Sequence, residues 1–180
     1  MVYILLGTGF EPIEAIAPCD LLRRGGVEVR LAGIGGRNIT GGHGITVQAD
    51  CTVEEIEEDN LEMVVLPGGL GGVEAILGSE TALRVVKNAY RQGKFVCAIC
   101  AAPTVLAKLG LLEETKAVCY PGMENLMAGA QCVSADTVRD GMILTGRAAG
   151  ASLDFGLALL QALRGEETAR GVQAGIVYRV

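Results

Sequence analysis

The chain has 180 residues, a net charge of -6, 50% hydrophobic residues, only 4% aromatic ones and no tryptophan. That length suits one domain with a substantial core, so 1–180 is read as a single unit filled by small and branched aliphatics. The longest basic cluster is Arg23-Arg24, which argues against nucleic acid or anionic membrane as partners, and no apolar run nears the ~20 residues of a membrane helix.

Val2–Leu6 reads as a strand with no charged leader before it, so a signal peptide is not expected. Ile13–Arg24 has the pattern of an amphipathic helix closed by Gly25-Gly26, and Val27–Ala32 that of a second strand. Ile34–Gly44 is a glycine-rich loop or hairpin, followed by a short strand at Ile45–Gln48. Thr52-Val53-Glu54-Glu55 has capping-box spacing and starts a short acidic helix. Met63–Leu66 is a buried strand ending in Pro67-Gly68-Gly69, and Ser79 caps a helix through Gln92. Phe95–Ile99 is an unbroken apolar strand that runs into Cys100-Ala101-Ala102-Pro103 and a helix through Leu109. A short strand at Ala117–Tyr120 follows, then strands near Val133–Val138 and Met142–Thr145 around the Arg139-Asp140-Gly141 turn. Ala151–Arg164 is a long helix, and the remainder is read as a short tail ending in Ile176–Val180.

This alternation predicts an α/β fold with a mostly parallel central sheet and helices on both faces. In such sheets sites form beyond the carboxyl ends of the strands. Gly7–Glu14, Pro67–Gly72 and Cys100–Pro103 fall there.

Cys100 is the leading candidate for chemistry. Small neighbours allow a sharp strand–turn–helix, as in a nucleophile elbow, and a helix N-terminus beside a sulfur favours thiolate. The Cys97-Ala98-Ile99-Cys100 spacing matches a dithiol motif, but Cys97 lies inside an apolar strand and is expected in the core. No second pair of cysteines or histidines has the spacing of zinc ligands. The six cysteines are read as reduced thiols of a cytoplasmic protein.

Glu14 falls between Ile13 and Ile16-Ala17 on what reads as the apolar face of the first helix. A carboxyl there needs a partner or a raised pKa, and the strand-end cysteine is a partner that fits. Pro67-Gly68-Gly69 is either a plain turn or a source of backbone N–H groups for an oxyanion. Tyr120 is either a site wall or a core edge, and Arg147 holds either an anion or a surface carboxylate. The lone His43 sits in a glycine-rich loop, and spacing does not decide whether it reaches Cys100.

Gly9-Phe10-Glu11-Pro12-Ile13-Glu14, Val65-Leu66-Pro67-Gly68-Gly69, Ala98-Ile99-Cys100-Ala101-Ala102-Pro103 and Leu144-Thr145-Gly146-Arg147 occur in that order. Together they closely resemble the ThiJ/PfpI superfamily, in the branch of the Parkinson disease protein 7 and the bacterial YajL-like proteins. The resemblance implies a flavodoxin-like sandwich of the class I glutamine amidotransferase type, a homodimer, and an oxidation-sensitive nucleophile at Cys100. It further implies a protonated Glu14 hydrogen-bonded to that cysteine and oxyanion-side amides from Gly69 and Ala101. The implied activities are cofactor-free glyoxalase or deglycase chemistry on methylglyoxal-type dicarbonyls and early glycation adducts, or a redox-linked sensor or chaperone role.

Three departures narrow this. Tyr120 stands where the animal member has a histidine near the site. Ala101 stands where the protease branch has a histidine, and no histidine follows His43 to supply the amidotransferase His-x-Glu. Protease and amidotransferase activities are therefore not expected. The tail is read as lacking the animal protein's extra C-terminal helix, so a more open site is expected.

Overall fold

The structure, a computed structural model, describes residues 1–179. In chain order the first half runs β1 (Val2–Leu6), α1 (Pro12–Arg24), β2 (Val29–Gly33), β3 (Asn38–Thr40), β4 (Thr46–Gln48), β5 (Cys51–Thr52), β6 (Met63–Leu66), α2 (Leu70–Leu77) and α3 (Glu80–Arg91). The second half runs β7 (Phe95–Ile99), α4 (Pro103–Lys108), β8 (Lys116–Ala117), β9 (Gln131–Cys132), β10 (Thr137–Asp140), β11 (Ile143–Gly146), α5 (Ser152–Arg164) and α6 (Glu166–Gly175).

A seven-stranded sheet in the order β10-β11-β7-β6-β1-β2-β5 forms the centre, parallel throughout except for the β10–β11 pair. This is the α/β flavodoxin-like architecture expected from the alternation. Side chains alternate across each strand, and the two faces collect different helices. Tyr3, Leu5, Val64, Leu66, Val96 and Ala98 pack with Val73, Ile76, Val85, Val86, Val105 and Leu106 of α2, α3 and α4. Val2, Ile4, Leu6, Met63, Val65, Cys97 and Ile99 pack with Ala15, Cys19, Leu22, Phe155, Leu159 and Leu160 of α1 and α5. Cys100, at the end of β7, packs against both clusters.

The chain leaves β1 toward β2 on one side and later resumes at β6 on the other, so the strand order reverses beside β1. A crevice at the carboxyl ends of the strands is expected at such a point. The loops after β1, β6 and β7 all open into it.

Several local expectations are corrected. Leu70–Gly72, read as the end of the Pro67–Gly72 turn, is instead the start of a helix, Leu70–Leu77. The residues after Arg164 are not a plain tail, because α6 covers Glu166–Gly175; Val180 lies outside the described residues. Of the segment Ala117–Tyr120 only Ala117 is strand, the second residue of β8, Lys116–Ala117, which pairs with Gln131–Cys132. The capping box at Thr52 does start the short acidic helix expected there, a single 3-10 turn over Val53–Glu55. Ser79 does cap α3, its side chain accepting from the Ala82 amide at 3.2 Å.

Candidate active site

Cys100 occupies a sharp bend between β7 and α4. Its φ is 66°, a left-handed conformation rare for a residue with a side chain. Two long-range backbone bonds hold the bend: the Cys100 amide donates to the Gly146 carbonyl at 2.9 Å, and its own carbonyl accepts from the Tyr120 amide at 2.7 Å. The sulfur is half-buried at the floor of a pocket of about 480 Å³ that Glu11, Gly69, Leu70, Ala101 and Tyr120 help to line.

Glu14 projects from the first turn of α1 and is 0% exposed. Its Oε2 accepts from the Gly68 amide at 2.8 Å, while Oε1 is buried with no conventional hydrogen-bond partner. The Cys100 thiol is the polar side chain against it, close enough that each shifts the other's titration. Burial raises the Glu14 carboxyl to about 7, and the charge of Glu11 adds to that rise. Burial, and then the charge of Glu14, pushes the Cys100 thiol up to about 12, against the Ala101 and Gly69 amides that favour the charged sulfur.

The helix N-terminus expected to favour thiolate is thus outweighed. The helix after Cys100 is short, only Pro103–Lys108, and burial together with a neighbouring carboxylate outweighs it. With the proton on Glu14 the repulsion disappears and the two amides remain, which favours the charged sulfur. The two titrate as a pair that carries two protons below about 7 and one above it.

Glycine is required at Gly69, whose φ is +81° and where a Cβ would run into the Gly9 carbonyl. This lets the β6 turn present its amide to the sulfur. The Gly69 and Ala101 amides and the Tyr120 wall thus lie together around Cys100. Arg147 does not join them; it pairs with Asp136 at 2.6 Å on the surface and does not line the pocket. Cys97 is fully buried in β7, where burial raises its thiol, so it has no part in a dithiol. A link between His43 and Glu11, which spacing alone does not reveal, closes the pocket rim: His43 Nε2 lies 3.2 Å from Glu11 Oε2. Among the described residues no group of three or more His, Cys, Asp or Glu side chains is placed to hold a metal ion.

The face of α1 also differs from expectation. Glu14 shares its buried side with Ala15, Pro18, Leu21 and Leu22. Ile13 and Ile16, expected beside it, point outward and are 49% and 40% exposed.

A doubly wound sheet with a cysteine on a strained elbow, a buried glutamate and two amides at its sulfur defines a flavodoxin-like protein with a cysteine-centred site. The chain belongs to the DJ-1/PfpI family, whose model matches residues 1–162. It is 36% identical over 99% of its length to Protein DJ-1 homolog B of Arabidopsis thaliana, and spans only 41% of that longer protein. It is 36% identical over 83% of its length to a protein named as a deglycase from Pyrococcus abyssi, covering 90% of that chain. The crystal structure of Drosophila melanogaster DJ-1beta superposes with a TM-score of 0.95 at 31% identity, over 99% of this chain and 98% of that one.

Proposed function

We propose that the protein is a cysteine-dependent glyoxalase or deglycase that acts, without a cofactor, on methylglyoxal-type dicarbonyls or their early adducts. The observation that carries this is the buried Glu14 carboxyl, raised to about 7, against the sulfur of Cys100. Such a group exchanges protons at the working pH. The Cys100 thiolate adds to the aldehyde carbon, and the oxygen takes the proton from Glu14 to give a hemithioacetal. Glu14 then removes the hydrogen from that carbon and returns a proton to the neighbouring carbonyl carbon, while the hemithioacetal hydroxyl proton passes to the neighbouring oxygen, leaving a 2-hydroxy thioester. Water hydrolyses the thioester to a hydroxy acid and frees the thiol. The net change is addition of one water, with no external oxidant or reductant. The deglycase name of the Pyrococcus abyssi relative supports the same reading.

The test is hydroxy-acid formation from methylglyoxal by protein freed of metals and added thiols, beside Cys100→Ser. No turnover by the native chain ends the glyoxalase form of the proposal.

A second reading is a redox sensor or redox-regulated chaperone. It is favoured by accessibility: Cys100 is half-buried in an open pocket, whereas Cys19, Cys51, Cys97 and Cys119 are buried. Graded peroxide with peptide mass spectrometry would show Cys100 passing to sulfinic acid first, with the exposed Cys132 as the internal control. Equal oxidation of Cys132 counts against it.

The outward face of α1 supports a homodimer. Ile13, Ile16 and Ile45 are exposed, and with Leu153 and Ile176 they border a groove of about 830 Å³. Burial of such a patch against a second copy is its natural use. Light scattering of the native chain and of Ile16→Asp at micromolar concentration decides, a native monomer being the adverse result. Free cysteines and the lack, among the described residues, of any helix able to cross a membrane fit a cytoplasmic protein.

A further inference from the structure

The mouth of the Cys100 pocket carries a single charged side chain, Glu11, among the described residues that line it. The rest of the wall is apolar, chiefly Leu70, Tyr120, Pro121 and Met123, and no lysine or arginine joins it. Leu70 is 69% and Tyr120 49% exposed, so this wall is open to what enters.

Glu11 is held from both sides. Its amide donates to the Gly68 carbonyl at 3.0 Å, which ties it to the turn beneath Cys100. The β3–β4 hairpin is fixed to the same segment by the Gly9 amide on the Thr40 carbonyl at 2.8 Å and the Gly42 amide on the Phe10 carbonyl at 2.9 Å. From that hairpin His43 reaches the Glu11 carboxyl at 3.2 Å. A carboxylate fixed at the rim of an apolar cleft creates a local field that attracts cations and repels anions. An aliphatic stem with a cationic head fits such a cleft, the methylenes on the apolar wall and the head on the carboxylate.

We propose that Glu11 makes this pocket select carbonyl compounds bearing an amine or guanidinium over anionic 2-oxo acids, with His43 as the residue that positions its carboxylate. The substrate chemistry rests on the glyoxalase or deglycase reading, but the charge selection itself does not need turnover. The buried Glu14 lies below and contributes in the same sense, so Glu11 must be varied separately.

The experiment labels Cys100 with three methanethiosulfonates at pH 8: a cationic ethylammonium, a neutral methyl and an anionic ethylsulfonate reagent. Rates are read by peptide mass spectrometry in a Cys132→Ser background and divided by those of free cysteine. The cationic reagent should lead the anionic one by about 10-fold, the size expected for one charge several ångströms away at the dielectric of a partly exposed site. Glu11→Gln should bring that ratio at least threefold closer to one, and Glu11→Asp should largely restore it. His43→Leu should lower the ratio without lowering the neutral reagent's rate. In the native chain, 1 M salt should compress the ratio, which needs no variant. A ratio near one, or one that neither Glu11→Gln nor salt changes, overturns the proposal. Selection without dicarbonyl turnover sinks the catalytic reading and leaves the assignment of Glu11 standing, and turnover without selection does the reverse.

Discussion

The Gly68 amide holds Glu14 Oε2 at 2.8 Å, and a Cβ built on that glycine would lie 2.6 Å from the same oxygen and 2.8 Å from the Cβ of Cys100. The glycine therefore acts as both clamp and spacer for the reactive pair. Gly68→Ala should push the carboxyl away from the sulfur, lower stability by about 1–3 kcal/mol as overpacking does, and reduce turnover at least tenfold. Urea unfolding and dicarbonyl turnover check this; an alanine variant with native values of both would show that the spacing is not needed.

Glu14 also links stability to pH. Its carboxyl is raised in the folded protein from 4.5 to about 7, so between those values the fold retains a proton that the unfolded chain has released. The stability it confers is complete below about 4.5 and is lost as pH rises through about 7. At about 1.4 kcal/mol per pKa unit the loss is about 3.5 kcal/mol at most. Glu55 and Glu62 are shifted the opposite way, so the measurement is the difference between native and Glu14→Gln unfolding free energies over that range. A difference that stays level from pH 4 to 8 would remove the buried-acid assignment.

Glu14→Gln should separate binding of the sulfur from movement of its proton. The amide oxygen can still accept from Gly68 and the amide nitrogen can still donate toward Cys100, so alkylation of Cys100 should stay within a few-fold of native. Turnover should fall by roughly 10²–10⁴-fold, the range for a lost acid or base. Glu14→Ala should impair both, since it leaves a cavity as well. Alkylation kinetics run beside turnover give the comparison, and native turnover in the glutamine variant would leave Glu14 a structural carboxyl.

The left-handed backbone of Cys100 makes an unusual stability order. At most positions glycine is less stable than alanine, but at a φ of 66° the side chain itself is the burden. Cys100→Gly should be more stable than Cys100→Ala by about 1 kcal/mol, with both inactive. Thermal unfolding of the two variants tests this, and the reverse order would mean that the elbow stores no strain.

Much of this site was legible in the chain. Apolar runs bounded by glycine located β1, β6 and β7, and the small residues after Ile99 located the elbow. Hydrophobicity alone misled on α1. Ile13 and Ile16 looked like core and face outward, because helix geometry places Ala15, Pro18 and Leu22, not the isoleucines, beside Glu14. The start of α2 was hidden by its glycines, which are there for close approach: a Cβ on Gly72 would lie 2.8 Å from the Phe10 Cα. The rise of the Cys100 thiol was not legible because burial is a property of the folded pair and not of the elbow motif. The meeting of His43 with Glu11 depends on how a hairpin folds back over the β1 loop, which no local pattern encodes.

Cys100 stands where the two hydrophobic layers meet at the end of β7. A change of volume at this residue is therefore felt by both halves of the sandwich at once, rather than by a single loop. On the redox reading proposed above, oxidation at this seam is expected to shift the melting temperature of the whole domain, which thermal unfolding after graded peroxide checks.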